Sequence, residues 1–302
     1  MFGKSLVTSA VVAMTLCLAA CGGGGGEVSS PALGPASAPA PVAIAAGDTI
    51  ARPSGRLFSF NRETPGTEVG SVAVSGLLAD KTLLGIDFRP ADGLLYGVGS
   101  KGNIYKILST TGVATVASTL RAATGSANPL TALSGANFGV DFNPVADRLR
   151  VVSNTGQNLR INVATGATTT DAVTYRASGP ASLLAAAYTN NFAGTSATAL
   201  YDIDGLTVVW APQSPPNDGI LVNVGPIGVD ITGFAGLDIA FGENGLVLAA
   251  LRTGTSGPFA LRSILLSTGA SSLYMNTSGN AALSQIGGAN GPELRDIAIK
   301  LE

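Results

Sequence analysis

The chain predicts an all-β fold, a five-bladed β-propeller closed by pairing the C-terminal strand with the N-terminal strands. Three observations carry this. A stretch at residues 139–171, rich in Asp, Asn, Arg and β-branched residues, has a close copy at residues 83–115. Apolar segments with an Asp near the middle recur at near-regular spacing from there to the C-terminus. Only 12% of the 302 residues are charged, against about 25% in an average globular protein, while 40 are Gly. That balance favours short, well-buried strands joined by tight turns.

Taken in order, the chain opens on Lys4 and an apolar run over residues 6–20, the charged and hydrophobic regions of a secretory signal. The run is too short for a membrane-spanning helix. Leu18-Ala19-Ala20-Cys21 resembles a bacterial lipobox, which implies cleavage before Cys21 and acylation of its thiol. The competing reading is an ordinary signal peptide with a soluble product. Several acyl chains hold a protein stably on a membrane where one does so only weakly. Cys17 leaves with the leader and Cys21 carries lipid, so no thiol remains for a disulfide and the fold rests on its core.

Residues 21–47 combine a Gly run at 22–26 with prolines at 31, 35, 39 and 41 and bury too little to order themselves. They are expected to form a disordered tether, leaving residues 48–302 as a single propeller domain. Strands are expected over residues 49–51, 56–60 and 69–74.

The repeat is the strongest pattern. Ile86-Asp87-Phe88-Arg89-Pro90 matches Val140-Asp141-Phe142-Asn143-Pro144, and Thr111-Gly112-Val113 matches Thr165-Gly166-Ala167; both landmarks are 54 residues apart. Weaker copies begin at Ala187, Asp238 and Asp296, so the five starts are separated by 54, 46, 51 and 58 residues. This spacing suits four-stranded propeller blades. The last copy has one strand only, and the N-terminal strands are expected to complete its blade and hide the edges. Alternation of Leu149, Val151 and Ser153 with Arg148, Arg150 and Val152 has the period of a strand. A β-sandwich or barrel would leave the 54-residue offset unexplained. Residues 119–137 and 172–182 are expected to be inter-blade loops, a common place for function.

With the motifs GIDFRP…GLLYGVGSKGNIYKI and GVDFNPVADRLRVVSNTGQNLRINVATG in hand, the chain resembles the bacterial family catalogued as domain of unknown function 4394. The resemblance spans about residues 47–302. It implies a secreted or anchored β-propeller-like protein and carries no activity with it.

Composition removes several function classes. The net charge is −2 with no long basic run, which argues against a nucleic-acid partner. There is no histidine, which rules out imidazole catalysis and His metal ligands. No cofactor motif is present; the one cofactor the pattern admits is Ca²⁺.

Two constellations remain. Asp87, Asp141, Asp238 and Asp296 stand at equivalent positions of four first strands, with Ala187 in the fifth. First strands line a propeller's channel, so these carboxylates form a ring able to hold a hard cation. The structural alternative is that each Asp accepts backbone N–H groups or pairs with Arg between blades. The second constellation is the ligand-binding candidate: Asp147, Arg148, Arg150, Asn154, Gln157, Asn158 and Arg160. Arg forks bind carboxylates bidentately and the amides add neutral donors and acceptors, which suits an anion or sugar acid. If Arg150 pairs with Arg160 across strands, counter-charge is required, with Asp141 and Asp147 as its expected sources. The alternative is a latch between blades with a polar hairpin tip. Asp202-Ile203-Asp204-Gly205 reads as a hairpin turn, and Trp210 with Tyr201 as core rather than a sugar-stacking platform.

The resulting expectation is a lipid-anchored module of the bacterial cell envelope, at the outer membrane, that binds or scaffolds an unknown small ligand, glycan or envelope protein. It has no catalytic residues assigned. Its rivals are an Asp-dependent hydrolase of glycans or lactones at the channel mouth and a purely structural envelope protein.

Overall fold

The computed structural model describes residues 41–45, 55–240, 245–275 and 284–300. The leader, Cys21, the first part of the tether and the strand expected at 49–51 lie outside the described residues. The described residues belong to one compact unit, Ala38–Glu302.

The fold is all-β and propeller-like. The chain begins with β1 (Pro41–Ala45), β2 (Arg56–Phe60) and β3 (Glu68–Ala73). A second sheet is an up-and-down meander of β4 (Leu83–Phe88), β5 (Leu95–Gly99), β6 (Asn103–Ile107) and β7 (Ala114–Thr119). Next come β8 (Arg121–Ala122), β9 (Phe138–Asn143), β10 (Arg148–Ser153), β11 (Asn158–Ile161) and β12 (Ala167–Thr170), with β8 added in parallel to the outer edge of β12. The fourth sheet holds β13 (Tyr175–Arg176), β14 (Gly179–Pro180), β15 (Leu183–Tyr188), β16 (Leu200–Asp204), β17 (Val209–Gln213), β18 (Ile220–Leu221) and β19 (Gly225–Pro226). The fifth is β20 (Ala235–Ala240), β21 (Leu246–Leu251), β22 (Ala260–Ile264) and β23 (Ser271–Leu273). Last, β24 (Leu294–Ile299) returns to pair with β1, giving the order β24-β1-β2-β3.

Two expectations shift in detail. Pro41–Ala45, which the sequence reading places in the tether, is the strand joining β24 to β2. The segments expected to be plain inter-blade loops carry β8, β13 and β14, which pair along the outer edges of the following sheets. Such edge cover blunts the unpaired N–H and C=O groups that invite aggregation.

The five first strands pack in cyclic sequence, β4 on β9, β9 on β15, β15 on β20, β20 on β24 and β24 on β4. Between neighbouring sheets lie the apolar clusters. One joins Leu57 to Ile86 and Tyr105, a second Tyr96 and Ile104 to Phe142 and Leu149, and a third Val152 to Ala186 and Leu200. The fourth joins Ala187 and Trp210 to Leu237 and Ala249, and the fifth Leu248 and Phe259 to Phe58 and Ile297. The inner strands are therefore buried on both faces, β10 among them despite its alternating sequence, while the outer strands β3, β7 and β23 stay largely exposed.

The repeated Thr-Gly landmark is one turn built three times. Gly112, Gly166 and Gly269 have φ of 74°, 73° and 76°. Each donates its N–H to the carbonyl four residues back, on Leu108, Asn162 and Leu265. Each preceding Thr hydroxyl accepts the N–H two residues on, from Val113, Ala167 and Ala270. A Cβ at Gly112 or Gly166 would lie 2.2 or 1.9 Å from the carbonyl oxygen of Ala73 or Thr119, in the outer strand of the preceding sheet. The turn thus wedges one sheet against the next, and only Gly fits there.

Candidate functional site

The first strands share a second motif. Gly85-Ile86-Asp87, Gly139-Val140-Asp141 and Gly236-Leu237-Asp238 place Gly and Asp on one face, two residues apart. A Cβ at Gly139 would meet the Ala186 nitrogen at 2.5 Å, and one at Gly236 the Ile297 nitrogen at 2.6 Å. Gly139 and Gly236 let neighbouring first strands approach backbone to backbone, Gly85 leaves room for the Val140 side chain and Asp296 Oδ2, and the aspartates reach across the same gaps. Asp87 Oδ2 accepts the N–H of Phe142 at 2.7 Å, Asp141 Oδ1 that of Tyr188 at 3.1 Å, and Asp296 Oδ2 that of Ile86 at 3.1 Å. Asp238 accepts the N–H of Ile299. Four of the five junctions are stapled in this way, and Ala187 leaves the β15–β20 junction to apolar packing.

These staples bring charge together. One oxygen from each of Asp87, Asp141 and Asp238 lies within 4.8 Å of the other two, and all three residues are 1% exposed. Asp296, also buried, stands outside this group of three. Burial, reinforced by the neighbouring carboxylates, pushes Asp87, Asp141 and Asp296 well above the usual carboxylate range, and burial raises Asp238 to about 7. Of the two structural partners expected for these residues, backbone N–H groups are present. Among the described residues none of the four forms an ion pair with Arg or Lys.

The ligand-binding candidates divide into three groups. Arg150 and Arg160 are register partners. Their counter-charge is Asp171, at the end of β12, rather than Asp141 or Asp147: Arg160 grips it with Nε and Nη2 at 2.6 and 2.8 Å, and Arg150 Nη1 binds it at 2.7 Å. Arg150, 1% exposed, also donates to Asn158 at 2.7 Å, to the Tyr188 hydroxyl at 3.1 Å and to Asn217 at 2.9 Å. The last two belong to the next sheet and its loop. Asn158 donates onward to the carbonyls of Ala172 and Pro216. This is a buried latch between the third and fourth sheets, where the apolar cluster is the smallest of the five.

Asn154 and Gln157 form the second group and bind backbone. Asn154 Oδ1 accepts from Ala136 and Asn137, while Gln157 joins Ser134 and Ala132. They hold down the loop before β9. The third group is at the far end of β10. Asp147, in the left-handed region at φ 50°, receives Arg89 of the preceding sheet through Nε at 2.8 Å and Nη2. This pairing holds the Asp147 carboxyl below the usual range. Arg148 reaches only the carbonyls of Ala146 and Asp147.

Asp171 and Asn217 were not singled out by sequence, and Asp202, read there as part of a hairpin turn, lies inside β16. Asp202 is fully buried with neither oxygen hydrogen-bonded, and burial raises it well above the usual range against the opposing pull of Arg150. Asp204, by contrast, serves the turn after β16, accepting the N–H of Leu206 and pairing with Arg176 at 3.0 Å. Trp210 is fully buried, stacks on Tyr201 at 5.0 Å and donates to the Leu266 carbonyl, so it is core.

The family model described as Domain of unknown function (DUF4394) matches residues 56–287. The chain belongs to this family. No curated protein matches it. Among solved structures, it is similar to a structural genomics protein of unknown function from Bacteroides thetaiotaomicron VPI-5482, with 15% identity over 89% of this chain and 66% of that one and a TM-score of 0.47. It is also similar to TolB from Acinetobacter baumannii, with 14% identity over 87% of this chain and 67% of that one and a TM-score of 0.38. For BamB from Moraxella catarrhalis the identity is 14%, over 78% of this chain and 58% of that one, with a TM-score of 0.28. The DUF4394 chain thus spans 66%, 67% and 58% of these three proteins.

Proposed function

We propose that this DUF4394 protein is a lipid-anchored, extracytoplasmic five-bladed β-propeller that acts as a binding or scaffold module of the bacterial cell envelope. The observation that carries this reading is the use made of its polar residues. Arg150, Asn158, Asp171, Asn154 and Gln157 fix sheets and loops to one another, and the Asp ring staples first strands. A frame stiffened in this way presents loops at constant geometry. The carboxylates a glycan or lactone hydrolase would use are buried at the first strands, which supports binding over turnover. The exposed part of Arg160 and the loop held by Asn154 and Gln157 are the surface through which this blade meets a small ligand, glycan or envelope protein. The lipobox-like Leu18-Ala19-Ala20-Cys21 supports an anchor at Cys21, and Gly22 directly after it favours the outer membrane.

The test is made in the native bacterium with the full chain. Labelled palmitate should enter the wild-type protein, which should fractionate with the outer membrane, and Cys21→Ser should abolish both. An unlabelled, soluble wild-type protein overturns the anchor. The wild-type protein purified in detergent is then screened against oligosaccharides, sugar acids and lactones. Ligand-dependent stabilisation without product supports a binding module, whereas turnover of a glycan or lactone overturns it.

A further inference from the structure

The Gly-x-Asp motif leaves an unbalanced centre. Three carboxylates from β4, β9 and β20 converge, with a fourth, Asp296, in the same ring of first strands. Backbone N–H groups donate to Asp87 and Asp141 and to both oxygens of Asp238 and Asp296, but do not cancel like charge held out of water. A second, separate observation is that Asp87 Oδ1 is buried with no hydrogen-bond partner. A buried carboxylate oxygen without a donor requires a proton or a cation.

Dimensions and chemistry favour a cation. Oxygens on opposite sides of one calcium ion stand about 4.6–5.2 Å apart, and hard divalent ions select carboxylate oxygen. The three Asp oxygens, all within 4.8 Å of one another, are close enough together for one such ion to bridge them. We infer that Asp87, Asp141 and Asp238 bind one calcium-sized divalent cation where the first strands meet. The ion would tie β4, β9 and β20 together and neutralise charge that the hydrogen bonds leave standing. The inference is independent of what the loops bind.

The experiment uses the full chain purified in detergent, stripped with EDTA and returned to buffer containing Ca²⁺ or Mg²⁺ alone. Elemental analysis after Ca²⁺ loading and gel filtration should find about one calcium per chain, and calcium at one hundred times its Kd should raise Tm by about 5–10 °C. Asp141→Asn should bind calcium at least tenfold more weakly. In EDTA its Tm should equal or exceed that of wild type, because a buried carboxyl crowded by other carboxyls is gone; in calcium it should fall below. That reversal of order separates ion binding from a purely structural role. Folded wild-type protein without bound calcium or a calcium-dependent Tm shift overturns the inference. So does tighter binding of Mg²⁺ than Ca²⁺.

Discussion

Arg150 shows how a single side chain can decide whether two sheets hold together. Its guanidinium spends its donors on Asp171, Asn158, Tyr188 and Asn217, and burial leaves no water to replace them. Arg150→Ala is expected to cost about 3–5 kcal/mol in urea denaturation, the range for breaking a buried charged network. Arg148→Ala, two residues away on the same face, removes bonds to two exposed-side carbonyls and should stay within about 0.5 kcal/mol. Asp202 makes the opposite case. Its folded pKa is raised above that of the unfolded chain, so the native state holds a proton that the unfolded state releases. Stability from this group is therefore lost as pH rises above the unfolded value of about 4. The charges acting on it are Arg150, which opposes the shift, and Asp204, which adds to it. Asp202→Asn should raise Tm relative to wild type by more at pH 8 than at pH 5, measured by scanning calorimetry. An equal difference at both values would mean that the carboxyl is ionised in the fold.

The Thr-Gly turn is the unit that sets sheet against sheet. Gly166→Ala forces a Cβ onto a left-handed backbone and into the Thr119 carbonyl. It should cost at least about 2 kcal/mol, with conformation alone accounting for about 1–2 kcal/mol. Gly93 has φ 66° but open space around its Cβ position, so Gly93→Ala should show the conformational cost alone. A comparison of the two by chemical denaturation isolates the wedge. The turn was legible as a motif because its three copies share Thr-Gly after a strand. Its contact with the preceding sheet was not, because the strand it touches lies 47 residues earlier, at Thr119, and follows no rule of spacing.

Across the whole molecule, cyclic packing of five first strands and an apolar cluster at every sheet junction make each sheet a neighbour's core. The sequence by itself determined the strand-rich class, the repeat and its 54-residue period, and the Asp positions of the first strands. It also determined the absence of histidine chemistry. These follow from local residue types and from self-similarity, which need no knowledge of who meets whom. The Arg150–Arg160 register was left open between two alternatives. Only the tertiary structure decided that Asp171 supplies the counter-charge, that Asn217 of the next sheet completes the latch, and that Asp87, Asp141 and Asp238 converge. The physical reason is that a sheet packed on both faces buries polar and apolar residues alike. Strand alternation therefore marks two interfaces rather than inside and outside, and the partner of each polar group comes from a different repeat.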